Sequence, residues 1–131
     1  MHINKITAII VLVFLCLVIF ILCAFDNAFR YNYGLSDALQ RTWSAPYRST
    51  EWAPGYKEEK FAKIRVGMSK KQVLELLGQP FAGTFSKWCS NEAHCNWVYS
   101  HQTESWNDYD RRWVIFENGQ VATIVHEFYW D

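Results

Sequence analysis

The chain has 131 residues, with 13 lysines and arginines against 13 aspartates and glutamates, so its formal net charge is zero. That length holds one domain of ordinary size plus an appendage, not two full domains. Charge balance removes bulk electrostatic attraction to nucleic acid, and no nucleic-acid partner is expected. The half of the chain that is hydrophobic is unevenly distributed.

Residues 6–25 form an uncharged run in which Thr7 is the one weakly polar residue. Twenty residues at about 1.5 Å each span roughly 30 Å, the thickness of a bilayer's hydrocarbon core. A core helix of a soluble protein is a poor alternative, because the remaining residues cannot both surround it and build a core of their own. A cleaved signal peptide is the main rival, but its apolar region is normally about 7–15 residues and ends at a small-x-small site. Residues 23–28 read Cys-Ala-Phe-Asp-Asn-Ala, which lacks that pattern. A lipidated cysteine is disfavoured too, since Leu15 precedes Cys16 and Leu22 precedes Cys23. The expectation is an uncleaved single-pass anchor over residues 1–25. Lys5 before the run points to a cytoplasmic N-terminus and an extracytoplasmic, periplasmic C-terminal domain. Phe25, Phe29, Tyr31 and Tyr33 fit an interfacial aromatic belt.

Residues 26–56 read as a tether, rich in Tyr, Trp, Ser and Pro, with a short helix over 36–43 as its one patterned stretch. A folded domain is predicted over 57–131. A short helix over 57–64 places Phe61 and Ile64 on one side. The clearest element runs from Ser69 to Gly78. Ser69 is an N-cap, Gln72 completes a capping box, and Met68 can staple onto Val73. Val73, Leu76 and Leu77 form the buried stripe, Gly78 is an αL terminator and Pro80 blocks continuation.

Beyond Pro80 the signals are strands: 81–88, 96–101, 112–117 and 120–129. Asn118-Gly119 between the last two is a strong hairpin signal, because both turn positions need φ > 0. The simple two-residue register sets Phe116 opposite Val121, Ile115 opposite Ala122 and Trp113 opposite Ile124. One face then carries Trp113, Ile115, Ala122, Ile124 and Phe128. The other carries Val114, Phe116, Val121 and Val125, diluted by Arg112, Thr123 and Glu127. Two small helices cover one face, and the other is left partly exposed or covered by a partner.

Residues 64–80, I-R-V-G-M-S-K-K-Q-V-L-E-L-L-G-Q-P, resemble the opening signature of the SmpA/OmlA (BamE-like) family. W-V-Y at 97–99 and V-I-F-E-N-G-Q-V at 114–121 extend the resemblance in the same order, over about 61–125. It implies an α+β fold, two helices on one face of a three- or four-stranded antiparallel sheet, here behind an N-terminal transmembrane helix. It also implies a non-catalytic envelope protein that binds protein partners or lipid head groups in outer-membrane protein assembly. The chain departs from the family in lacking a lipobox and in carrying two cysteines within 87–96.

Cys89 and Cys95 flank a short polar loop, and outside the cytoplasm a disulfide is their default. A zinc site built from Cys89, His94, Cys95 and His101 is the alternative, although adjacent His94 and Cys95 turn awkwardly toward one ion. No nucleophile motif accompanies His101 or His126, and the acidic stretch 104–110 reads as a solvated loop. No enzyme activity and no cofactor are expected. Trp88, Trp97, Trp106, Tyr109, Trp113, Phe128, Tyr129 and Trp130 exceed what a core of this size needs. Trp113, Arg111, Arg112, Phe128 and Trp130 are the candidate partner-binding residues, since Trp, Tyr and Arg carry much of the energy at interfaces. An inhibitor-like or ligand-sensing module that clamps a soluble target is the second functional reading.

Overall fold

The structure is a computed structural model describing residues 4–46, 48–81, 94–103 and 108–130. The chain divides into two compact units, Met1–Pro46 and Tyr47–Asp131.

The first unit is a pair of helices. Helix α1, Lys5–Tyr31, starts at Asn4, whose side chain accepts the Ile6 N–H. It is long and apolar enough to cross a membrane, and its apolar side chains are almost all exposed within the unit. Asn32 ends it with φ 51° in the left-handed region, a conformation asparagine tolerates, and its N–H returns to the Ala28 carbonyl. Helix α2, Leu35–Trp43, packs back along α1 between Phe20 and Tyr31. Ala24, Ala38, Arg41 and Ser44 are buried between them. The segment expected to be a tether is therefore partly structured. Its beginning extends α1, and the short helix expected over 36–43 forms as α2.

The second unit holds β1 (Thr50–Trp52), α3 (Glu58–Phe61), α4 (Lys70–Leu77), β2 (His94–Val98), β3 (Ser100–Gln102), β4 (Tyr109–Glu117) and β5 (Gln120–Tyr129). β2, β4 and β5 form an antiparallel sheet in that order, and β1 pairs with β3 in a smaller one. The predicted strand over 96–101 is thus two strands that part at Tyr99. The Tyr99 N–H donates to the Arg112 carbonyl, while its own carbonyl accepts from Ala53. The predicted strand over 81–88 lies outside the described residues except for Phe81, which donates its N–H to the Val98 carbonyl.

Helix α4 forms as its sequence dictates. Ser69 Oγ accepts the Gln72 N–H and the Gln72 side chain accepts the Ser69 N–H, closing the capping box. Val73 and Leu77 are buried in a core with Phe61, Ile64, Tyr99, Val114, Phe116 and Val121, and Met68 packs at its edge. Gly78 ends the helix with φ 81° and ψ −166°. That is not the αL cap expected but an extended, positive-φ conformation open essentially to glycine alone.

The β4–β5 hairpin turns at Asn118 (φ 51°) and Gly119 (φ 78°), as predicted. Phe116 pairs with Val121, but a bulge follows and Ile115 pairs with Thr123, not Ala122. One extra residue flips every side chain beyond it to the opposite face. Val114 therefore pairs with Ile124, Trp113 with Val125 and Asp110 with Phe128. The face covered by α3 and α4 carries Arg112, Val114, Phe116, Val121, Ile124, His126 and Phe128. The opposite face carries Arg111, Trp113, Ile115, Thr123, Val125, Glu127 and Tyr129. The first list is the more buried along its length, and the second is mostly intermediate or exposed.

Candidate partner-binding surface

Two polar side chains, Arg112 and His126, sit together on the covered side of the sheet, and α3 supplies their partner. Arg112 on β4 lies opposite His126 on β5. Glu58, the first residue of α3, places its carboxylate between them. It accepts from Arg112 Nε at 3.1 and 3.2 Å, from His126 Nε2 at 2.8 Å and from the Tyr56 hydroxyl at 2.7 Å. Arg112 is fully buried and also donates Nη1 to the Arg111 carbonyl at 2.9 Å. Phe61 stacks on the His126 ring, with centroids 6.0 Å apart, and Trp52 stacks on Tyr56 at 4.7 Å.

Burial by itself pushes the Glu58 carboxyl up. The His126 hydrogen bond and the Arg112 charge outweigh it, with the Tyr56 hydroxyl adding to them, and hold the group below its ordinary value. Burial, reinforced by the Glu58 charge, pushes the Tyr56 hydroxyl far above its usual range, so it stays a donor. A carboxylate engaged by three donors and lowered in pKa is poorly suited to general acid–base work near neutral pH, which needs a raised value. The cluster instead ties α3 to β4 and β5. It fixes which face the helices cover and so which face stays open.

On the open face Arg111 is the organising group. Its guanidinium lies 3.9 Å from the Tyr129 ring centroid, 4.9 Å from Trp113 and 5.7 Å from Tyr109. It pairs with Glu127 across the hairpin at 2.7 Å. The register sets these side chains next to one another across the hairpin. Trp113, Ile115, Val125 and Tyr129 are half-buried there. The surface offers aromatic area with one compensated cation.

The predicted site residues separate accordingly. Arg111 and Trp113 lie together on the open face, and Trp130 follows β5 with 56% of its surface exposed. Arg112 and Phe128 are corrections. Both are buried on the covered face, Arg112 by its pairing with Glu58 and Phe128 because the bulge reverses its side. The sequence alone does not bring Glu58, His126 and Tyr56 together as a unit. In the simple hairpin register Arg112 and His126 fall on opposite faces, and only the bulge brings them together beside Glu58. Cys95 is buried on β2 opposite Phe116, while Cys89 lies outside the described residues. His94 and Cys95 alternate along β2, the first exposed and the second buried, and His101 Nε2 faces Glu51 at 3.4 Å. Trp88, Trp106 and residues 104–107 of the acidic stretch also lie outside the described residues.

The model of one protein family, the outer membrane protein assembly factor BamE domain, matches residues 56–126, more than half of the chain. The chain belongs to that family. The BamE match thus takes in α3, α4, β2, β3, β4 and β5 as far as His126, and with them the Glu58 cluster, Arg111 and Trp113, while Glu127 and Tyr129 of the Arg111 patch lie beyond it. It starts at Tyr56, after β1. No curated protein and no solved structure matches the chain.

Proposed function

We propose that this protein is a single-pass, non-catalytic envelope protein whose BamE domain binds a protein partner in outer-membrane or envelope protein assembly. The observation that carries the reading is the open sheet face, where Arg111 is stacked among Tyr129, Trp113 and Tyr109 beside Ile115 and Val125. Aromatic and arginine side chains held in one geometry lose little entropy on binding and supply large contact area. Membership of the BamE domain family supports an assembly role. The apolar length of α1 supports an anchor, and Lys5 ahead of it supports a cytoplasmic N-terminus with the domain on the periplasmic side. A bridge from Cys95 to Cys89 belongs to the same reading, because that compartment is oxidising.

Replacing Trp113 or Trp130 with alanine in the full-length protein should reduce co-purification of crosslinked partners from the native membrane. Far-ultraviolet circular dichroism should stay unchanged. Capture of no specific protein by the wild type, or equal capture by the variants, would count against this surface.

A further inference from the structure

The first unit carries a feature that a simple anchor does not need. Helix α2 is pinned to α1 by side chains at the polar end of the apolar run. Asn27 Nδ2 donates to Thr42 Oγ1 at 2.9 Å, Arg41 Nη1 donates to Asn27 Oδ1, and the Arg41 guanidinium covers the Tyr31 ring at 3.6 Å. Thr42 Oγ1 in turn donates to the Ala38 carbonyl. Ala38 and Arg41 are buried by this clasp. Leu35, Leu39 and Trp43 remain exposed, at 66, 38 and 75%. Four-residue spacing places these three within an arc of about 80° on a helix of 3.6 residues per turn. Ser36 and Gln40 follow on the adjacent side.

The apolar arc is not isolated. The Trp43 ring meets the Phe20 ring edge-on, with centroids 6.5 Å apart. Phe20 lies six positions before Asp26, the first charge after the apolar run, or about 9 Å along the axis at 1.5 Å per residue. Trp43 therefore reaches past the polar boundary into the level of the apolar run, while Arg41 stays at Asn27 and Tyr31. Its exposed surface leads onto that of α1, where Leu17 and Val13, one and two turns before Phe20 on the same side, are also exposed. Tryptophan favours the depth where acyl chains meet head groups.

We infer that α2 is a membrane-inserted helix. Clasped to α1, it buries Leu35, Leu39 and Trp43 at the boundary between acyl chains and head groups, so that residues 4–46 form a two-helix foot. This rests on the reading of α1 as a membrane anchor. The occupant is lipid because the arc carries no charge and is continuous with the surface of α1 that would face lipid. The Asn27–Thr42–Arg41 clasp fixes how deep α2 sits.

Full-length protein carrying Cys16→Ser and Cys23→Ser is reconstituted in phosphatidylcholine–phosphatidylglycerol vesicles. Spin labels are placed singly by Leu39→Cys, Trp43→Cys, Gln40→Cys and Phe14→Cys, and the parent protein serves as the background blank. Accessibility to oxygen, which concentrates in lipid, is compared with accessibility to a water-soluble nickel chelate. The oxygen-to-nickel ratio should be several-fold higher at 39 and 43 than at 40, and highest of all at 14. If 39 and 43 match 40 while 14 remains lipid-like, α2 is in water and the inference falls with the anchor intact. If 14 is also water-like, the anchor reading itself fails. Shielding of 39 and 43 from both reagents shows a protein cover, a second copy or a partner, and overturns insertion in lipid.

Discussion

Removing the Glu58 carboxylate by Glu58→Ala strips the acceptor from three donors at once: Arg112 Nε, His126 Nε2 and the Tyr56 hydroxyl. The decisive quantity is the burial of Arg112, which is 0% exposed, with the Glu58 side chain at 21%. An exposed ion pair is worth about 0–1 kcal/mol, whereas orphaning a buried charge costs about 3–5 kcal/mol. Because Glu58 keeps some contact with solvent, water can partly solvate the orphaned guanidinium, and the lower end, about 3 kcal/mol, is expected. For a domain of this size each kcal/mol moves Tm by about 4–8 °C, so the loss is about 12–24 °C. Thermal melts of the full-length protein in detergent, followed by tryptophan fluorescence, measure it. The double variant Glu58→Leu with Arg112→Met removes both charges and should melt above Glu58→Ala, because an apolar replacement leaves nothing unpaired. A loss below about 1 kcal/mol in the single variant, or a double variant less stable than the single, would refute the view that this buried pair fixes the helix-to-sheet packing.

The same cluster sets an acid limit. The folded Glu58 carboxyl lies below its ordinary value of 4.5, so its stabilisation is present above that pH and lost as pH falls toward the folded value. Urea midpoints of wild type should drop between pH 5 and 3 more steeply than those of Glu58→Gln, where only the remaining carboxylates titrate. Gly78→Ala should lower stability by about 1–3 kcal/mol; an added Cβ meets nothing within 4 Å, so the cost is backbone strain and a repacking variant should not rescue it. Ser69→Ala removes the acceptor of the Gln72 N–H and should cost about 1 kcal/mol in the same denaturation assay.

Local chemistry made much of the fold legible. The capping box at Ser69 and Gln72, the core stripe of Val73 and Leu77 and the Asn118-Gly119 turn each rest on a few consecutive residues, and each is realised. What failed depended on non-local geometry. The bulge after Ile115 has no signal of its own, because Ala122 and Thr123 fit either register, yet it decides that Phe128 is inside and Val125 outside. Arg112 reads as an interface residue by type, but its role is set by Glu58, 54 positions earlier. For residues 26–56 the short helix over 36–43 was legible and its packing on α1 was not. Nothing near Asn27 announces that Thr42 and Arg41 will close on it.

The proposed function places a protein partner on the Arg111–Trp113–Tyr129 face. Photo-crosslinking in native membranes, with the photoreactive side chain placed at Trp113 and, as a control, at exposed Lys71 on α4, tests it directly. A discrete adduct with an envelope protein from position 113, absent from position 71, is the predicted result. No adduct from 113, or the same adducts from both positions, would contradict it.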